Sequence, residues 1–92
     1  MADKPGLRDM LRIARTAAEE LLDKRFESIS SISRTDDGWI VNVEVLERRA
    51  IPDTQDIIGR YEMCFDDAGE ITGYRRMELR HRGSLERIDE EV

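Results

Sequence analysis

Residues 38–48, GWIVNVEVLER, decide the fold. Trp39, Val41, Val43 and Val45 alternate with Ile40, Asn42, Glu44 and Leu46, the period-two pattern of a strand that buries one face. Just upstream, Asp36, Asp37 and Gly38 carry turn chemistry, so a chain reversal opens the strand. Downstream, Tyr61, Met63 and Phe65 share one face of a second strand, with Arg60, Glu62 and Cys64 on the other. The stretch 65–71, FDDAGEI, is another turn, its Gly69 suited to a positive φ. Residues 71–83, ITGYRRMELRHRG, form the last strand, with Met77 and Leu79 expected on the face opposite Tyr74, Arg76, Arg80 and Arg82.

Working back towards the start, residues 28–35, SISSISRT, hold only Ile29 and Ile32 among serines, a weak short strand or an irregular lead-in. Before them, Leu7, Met10, Leu11, Ala14, Ala17, Ala18, Leu21 and Leu22 recur at three- and four-residue steps, which places them on one face of a helix. Asp3 and Pro5 supply a start signal, and Gly6 weakens the first turn. The alanines would let this helix lie close to a sheet.

The expected architecture is α+β, with one N-terminal helix packed on a three- to four-stranded antiparallel meander. The expected bounds are a helix over about 5–25 and strands over about 28–34, 38–48, 58–66 and 70–82. The acidic tail 84–92 is expected to fray. All of this fits one domain, because 92 residues cannot build two cores.

Composition narrows the function. A net charge of −6 argues against nucleic acid as a partner, since phosphate attraction needs surplus lysine and arginine. A single cysteine, Cys64, permits no internal disulfide. The start, MADKPGLRDML, lacks the apolar run of a signal peptide, and no apolar run is long enough to span a membrane. The expected home is therefore the cytoplasm.

Few residues nominate chemistry. Asp53 and Asp56 stand three apart after Pro52. Their plain reading is a turn in which Asp53 and Thr54 side chains bond the backbone. The functional alternative is a small-ligand or metal sensor in which Asp53, Asp56 and Glu62 converge, although calcium or magnesium needs more oxygen ligands than these. His81, the only histidine, sits between Arg80 and Arg82 and has no partner spaced for zinc. Cys64 has no adjacent base to activate it. No catalytic set emerges and no cofactor is indicated.

Residues 75–82 set four arginines against Glu78 alone. They can pair across strands with Glu44, Glu47 and Glu62, or form a charged docking face with Tyr74 as aromatic anchor. Trp39, in phase with three valines, is read as core.

The stretch 34–83 resembles the gas vesicle protein GvpO family. The likeness rests on Gly38-Trp39, the VEVLE strand, Ile51-Pro52-Asp53-Thr54 with Asp56, Tyr61-Glu62, and DDAGEITGYRR at 66–76. Family members tend to carry an aromatic after the arginine of the last strand, where this chain has Arg80-His81-Arg82. The resemblance implies a non-enzymatic accessory protein of gas vesicle formation without a cofactor. Implied partners are other vesicle proteins: the ATPase GvpN, the shell protein or other accessories. Candidate partner-binding residues are Pro52, Asp53 and Asp56, exposed in their connection, and Tyr74, Arg76, Arg80 and Arg82 on the last strand. Pairing of exposed strand edges between two copies is a further expectation.

Overall fold

The computed structural model describes residues 4–83. The tail expected to fray, and Asp3 at the expected helix start, lie outside the described residues. Helix α1 spans Leu7–Leu22, followed by β1 (Arg25–Thr35), β2 (Gly38–Arg48), β3 (Ile57–Asp66) and β4 (Ile71–His81). A 3₁₀ turn at Asp53–Gln55 interrupts the β2–β3 connection. The strands form one antiparallel sheet in the order β1-β2-β3-β4, the expected α+β meander.

α1 is shorter than the expected bounds of about 5–25 and coincides with the apolar run from Leu7 to Leu22. Gly6 is its N-cap, and its N–H donates to Asp9 Oδ2 at 2.9 Å. That hydrogen bond holds the Asp9 carboxyl below its ordinary range. The helix stops where Asp23 takes a left-handed conformation, φ 52°. Met10, Ala14 and Ala18, one helical turn apart, are fully buried. They lie on the inner face of the sheet over β1 and β2, against Val41, Val43, Val45, Met63 and Phe65. Trp39 belongs to this core, with the Arg34 guanidinium 5.0 Å from its ring centroid.

β1 corrects the weak-strand reading, for it is as long as β2, at 11 residues each. Its pairing with β2 shifts between Phe26 and Ser28 and again between Ile29 and Ser31. Each bulge adds one residue to the period. Phe26, Ile29 and Ile32, three apart, therefore all face inwards, opposite Val45, Val43 and Val41.

The β3–β4 reversal is organised by Asp66, whose Oδ1 accepts from the N–H of Ala68 at 2.9 Å and of Glu70 at 3.0 Å. Gly69 supplies the positive φ, 86°.

Candidate functional site

Two regions hold the residues singled out by sequence: the β2–β3 connection and the strand β4. Pro52, Asp53, Thr54 and Gln55 are exposed, and the Ile51–Pro52 peptide is cis. Backbone bonds close the 3₁₀ turn, from Gln55 N to Pro52 O and from Asp56 N to Asp53 O, each 3.0 Å.

Asp56 departs from the expectation of two exposed acids. Only 6% of it is accessible. Its carboxylate accepts the Ala50 N–H at 2.7 Å and Arg82 Nε at 3.3 Å, while its carbonyl accepts the Arg82 N–H at 2.7 Å. Asp56, rather than Asp53 or Thr54, is thus the side chain that closes this loop. A buried carboxylate requires such partners, because leaving it unpaired would cost several kcal/mol. Gly83 N to Thr54 O at 2.9 Å and His81 Nδ1–H to Gln55 O at 3.1 Å bind the end of β4 to the same loop. Glu27 Oε1 accepts from Arg82 at 2.6 Å; this bond, with Asp56 behind it, raises the Arg82 pKa.

The outer face of the sheet carries arginine–glutamate pairs, two of them between residues that the sequence put forward, Arg80 with Glu44 and Arg75 with Glu62. Arg80 donates to Glu44 at 2.9 Å, Arg75 pairs with Glu62 at 3.4 Å and Arg60 with Glu78 at 3.6 Å. Each such pair is worth roughly 0.2–1 kcal/mol. Cys64 is half-buried on this face, opposite Ile40 and Gly73.

The expected common face for Tyr74, Arg76, Arg80 and Arg82 does not form. Register shifts lie between Arg60 and Tyr61 and between Cys64 and Phe65, so Ile71, Tyr74, Arg76 and Leu79 stand opposite Phe65, Met63, Tyr61 and Gly59. Directly opposed residues share a face, which turns Tyr74 and Arg76 inwards with the core. Arg80 stays outside and Arg82 binds the loop. Met77 falls in a bulge, away from Leu79's partners. Leu79 is buried, whereas Tyr74 stays 48% exposed.

Glu47 organises the inward side of this region, and its inward direction was not foreseen. It sits at the bulge between Leu46 and Arg48 and reaches across Gly59. A Cβ at Gly59 would come within 2.4 Å of Glu47 Oε1, so the strand glycine makes room for the carboxylate. Tyr61 donates its hydroxyl to Glu47 Oε1 at 2.5 Å. Lys24 and Arg76 approach Oε2 at 3.5 and 3.9 Å. Burial, reinforced by the Glu47 charge, pushes the Tyr61 pKa up to about 12. The glycine inside a strand pattern was the signal available in the sequence.

The residues of a metal sensor do not come together. Glu62 is held by Arg75 at mid-strand, and the Asp56 carboxylate is occupied by Ala50 and Arg82. Among the described residues, no group of three histidine, cysteine, aspartate or glutamate side chains gathers as a metal site. No helix among them is long and apolar enough to cross a membrane.

The family described as "Gas vesicle synthesis protein GvpO" matches residues 1–86. The chain belongs to that family. Among curated GvpO relatives, it is 50% identical over 72 residues to gas vesicle protein O1 of Halobacterium salinarum, covering 78% of this chain and 60% of that protein. It is 51% identical over 81 residues to gas vesicle protein O of Haloferax mediterranei, covering 87% and 58%. With gas vesicle protein O of a Streptomyces species the identity is 43% over 83 residues, covering 90% and 65%. This GvpO-family chain thus spans about three-fifths of the length of the curated relatives it matches. No solved structure matches it.

Proposed function

We propose that this chain is a non-enzymatic accessory protein of gas vesicle formation, acting in the cytoplasm through protein–protein contacts during vesicle assembly. Its candidate partners are the ATPase GvpN, the shell protein and the other accessory proteins. Membership of a gas vesicle synthesis family supports the process. The observation that carries contact as the mode of action is Tyr74.

A helix about 10 Å wide covers about two strands spaced about 4.8 Å apart. α1 lies over β1 and β2, so the inner side of β4 is left to other cover. There Tyr74 presents half of its surface on an edge strand, where Thr72, Gly73 and Arg75 are also exposed. Beside them a cleft of about 320 Å³ runs between Ile13 and Ala17 of α1 and Phe65 and Ile71 of the sheet. An exposed aromatic beside an apolar cleft, on a strand with unpaired backbone groups, is a docking edge.

The test is co-purification with each co-encoded vesicle protein, comparing wild type with Tyr74→Ser. Reversing Arg76 or Arg80 would break internal ion pairs and confound the result. A partner lost in Tyr74→Ser, with an unchanged circular dichroism melt, supports the reading. A partner retained at full strength removes Tyr74 from it, and the absence of any partner sinks the adaptor model.

A further inference from the structure

We infer that the other end of the sheet carries a second docking surface, built on Ile51 and the arginines around it, for a partner protein presenting an apolar socket edged by carboxylates. This rests on the adaptor reading only in assuming that the chain works by contact; it uses none of the Tyr74 face.

Ile51 is 101% exposed. A fully solvated isoleucine is ordinary in a floppy loop, but this loop is held at both ends. The buried Asp56 carboxylate takes the N–H of Ala50 at 2.7 Å, next to Ile51, and the far side of the loop is held by the Arg82 and Gly83 N–H groups, which donate to the carbonyls of Asp56 and Thr54. The tip therefore presents Ile51 and the exposed Pro52 in a fixed attitude, which lowers the ordering cost of docking.

The charges around the tip are unusual for this chain. Among the described residues, the arginines without an ion pair are Arg8, Arg25, Arg48 and Arg49. Three of these four flank the loop. Arg48 and Arg49 lead directly into it, and Arg25 and Arg49 line a polar cleft of about 410 Å³ with Arg82, Asp53, Glu27 and Asp56, the last two of these carboxylates being taken up by Arg82. All three side chains are exposed. Arg82 is already matched by Glu27 and Asp56, so the unpaired guanidinium groups are the ones facing outwards. In a chain of net charge −6, concentrating unmatched arginines at one apolar tip favours a carboxylate-bearing partner. Arginine binds carboxylates in a bidentate fork, and an exposed apolar anchor that follows two free arginines in the chain has the composition of an interface hot spot.

The experiment is fluorescence anisotropy of the full chain with a labelled twelve-residue peptide of repeating Glu-Glu-Leu, at low and moderate salt. The controls are its Lys-Lys-Leu counterpart and a twelve-nucleotide single strand. Saturable binding of the acidic peptide is expected. It should weaken about tenfold in Arg25→Glu/Arg49→Glu, less in Ile51→Ser, and with added salt. Tyr74→Ser should leave it unchanged, which separates this surface from the β4 face. None of these substitutions breaks an internal ion pair, and a circular dichroism melt checks the fold; if the double variant unfolds, Arg49→Gln replaces it.

Equal binding by the charge-reversed variant overturns the inference, as does equal binding of the basic peptide. Tighter binding of the oligonucleotide would reassign the arginines to nucleic acid. Self-association that disappears in Arg25→Glu/Arg49→Glu would make a second copy the occupant. Peptide binding seen only after Glu86, Asp89, Glu90 and Glu91 are changed to glutamine would make the chain's own acidic end the occupant. Each of these outcomes also overturns it.

Discussion

β2 and β4 are both 11 residues long, yet they solve opposite problems. β2 lies between two strands and under the helix, and Val41, Val43 and Val45 alternate into the core without interruption. Only after Leu46 does a bulge break its pairing with β3. β4 is an edge strand interrupted by two bulges, and its inward set is Ile71, Tyr74, Arg76 and Leu79. A central strand must keep two registers at once, so its pattern is regular. An edge strand has one neighbour and can twist or bulge at little cost, which also discourages indiscriminate edge pairing. Stability should therefore concentrate in the centre, and contact with other proteins at the edges and the loop.

The largest effect should come from the centre. Met63→Ala removes a fully buried side chain, and core truncations of this kind cost about 2–5 kcal/mol. A chemical denaturation midpoint that barely moves would contradict the assignment of β3 to the core.

Glu47 tests how the inner face is closed towards β4. Gly59→Ala should cost about 1–3 kcal/mol, since the added methyl displaces a carboxylate held by Tyr61, Lys24 and Arg76. In a Glu47→Ala background the same change should cost clearly less, a coupling read from a double-mutant cycle. Additive losses would show that the two residues do not share the space.

Asp56→Ala should destabilise by about 1–3 kcal/mol, because it strands the Ala50 N–H and loosens Arg82. The local readout is faster amide hydrogen exchange at Ala50 and Arg82, with β2 unaffected.

A smaller effect is read from pH. The Tyr61 pKa is raised in the folded chain, from about 10 to about 12, so between these values the folded state holds a proton that the unfolded state releases. Stability is complete below pH of about 10 and falls as pH rises towards about 12. Tyr61→Phe is the control: it should flatten part of the decline.

Tyr74→Ser should change stability least, within about 0.5 kcal/mol. Its expected consequence is loss of a partner, which would sharpen the contrast with Met63.

Legibility in the sequence follows the same division. Trp39, Val41, Val43 and Val45 announce their strand, and Leu7 to Leu22 announce their helix, because burial of one face imposes an uninterrupted period. The pairing of Arg75 with Glu62 was legible because residues on adjacent antiparallel strands must meet, whereas Arg80 reaches Glu44 across the intervening β3. Phe26, Ile29 and Ile32 concealed β1, as two bulges stretched a period of two into steps of three. Those in β4 reversed the faces of Tyr74 and Arg76. Asp53 and Asp56 looked equivalent as residues of one turn, yet only Asp56 lies where Ala50 and Arg82 can enclose it.

The sequence alone determined the α+β class, the order of helix and meander, the valine-lined core strand, the positive φ at Gly69 and the likeness to the GvpO family. These follow from local propensity, periodicity and motif, which need no knowledge of distant contacts. Tertiary structure alone decided the bulges, the inward turn of Glu47 over Gly59, the burial of Asp56 and the full exposure of Ile51. Each depends on which residues, far apart in the chain, compete for the same space and the same hydrogen bonds.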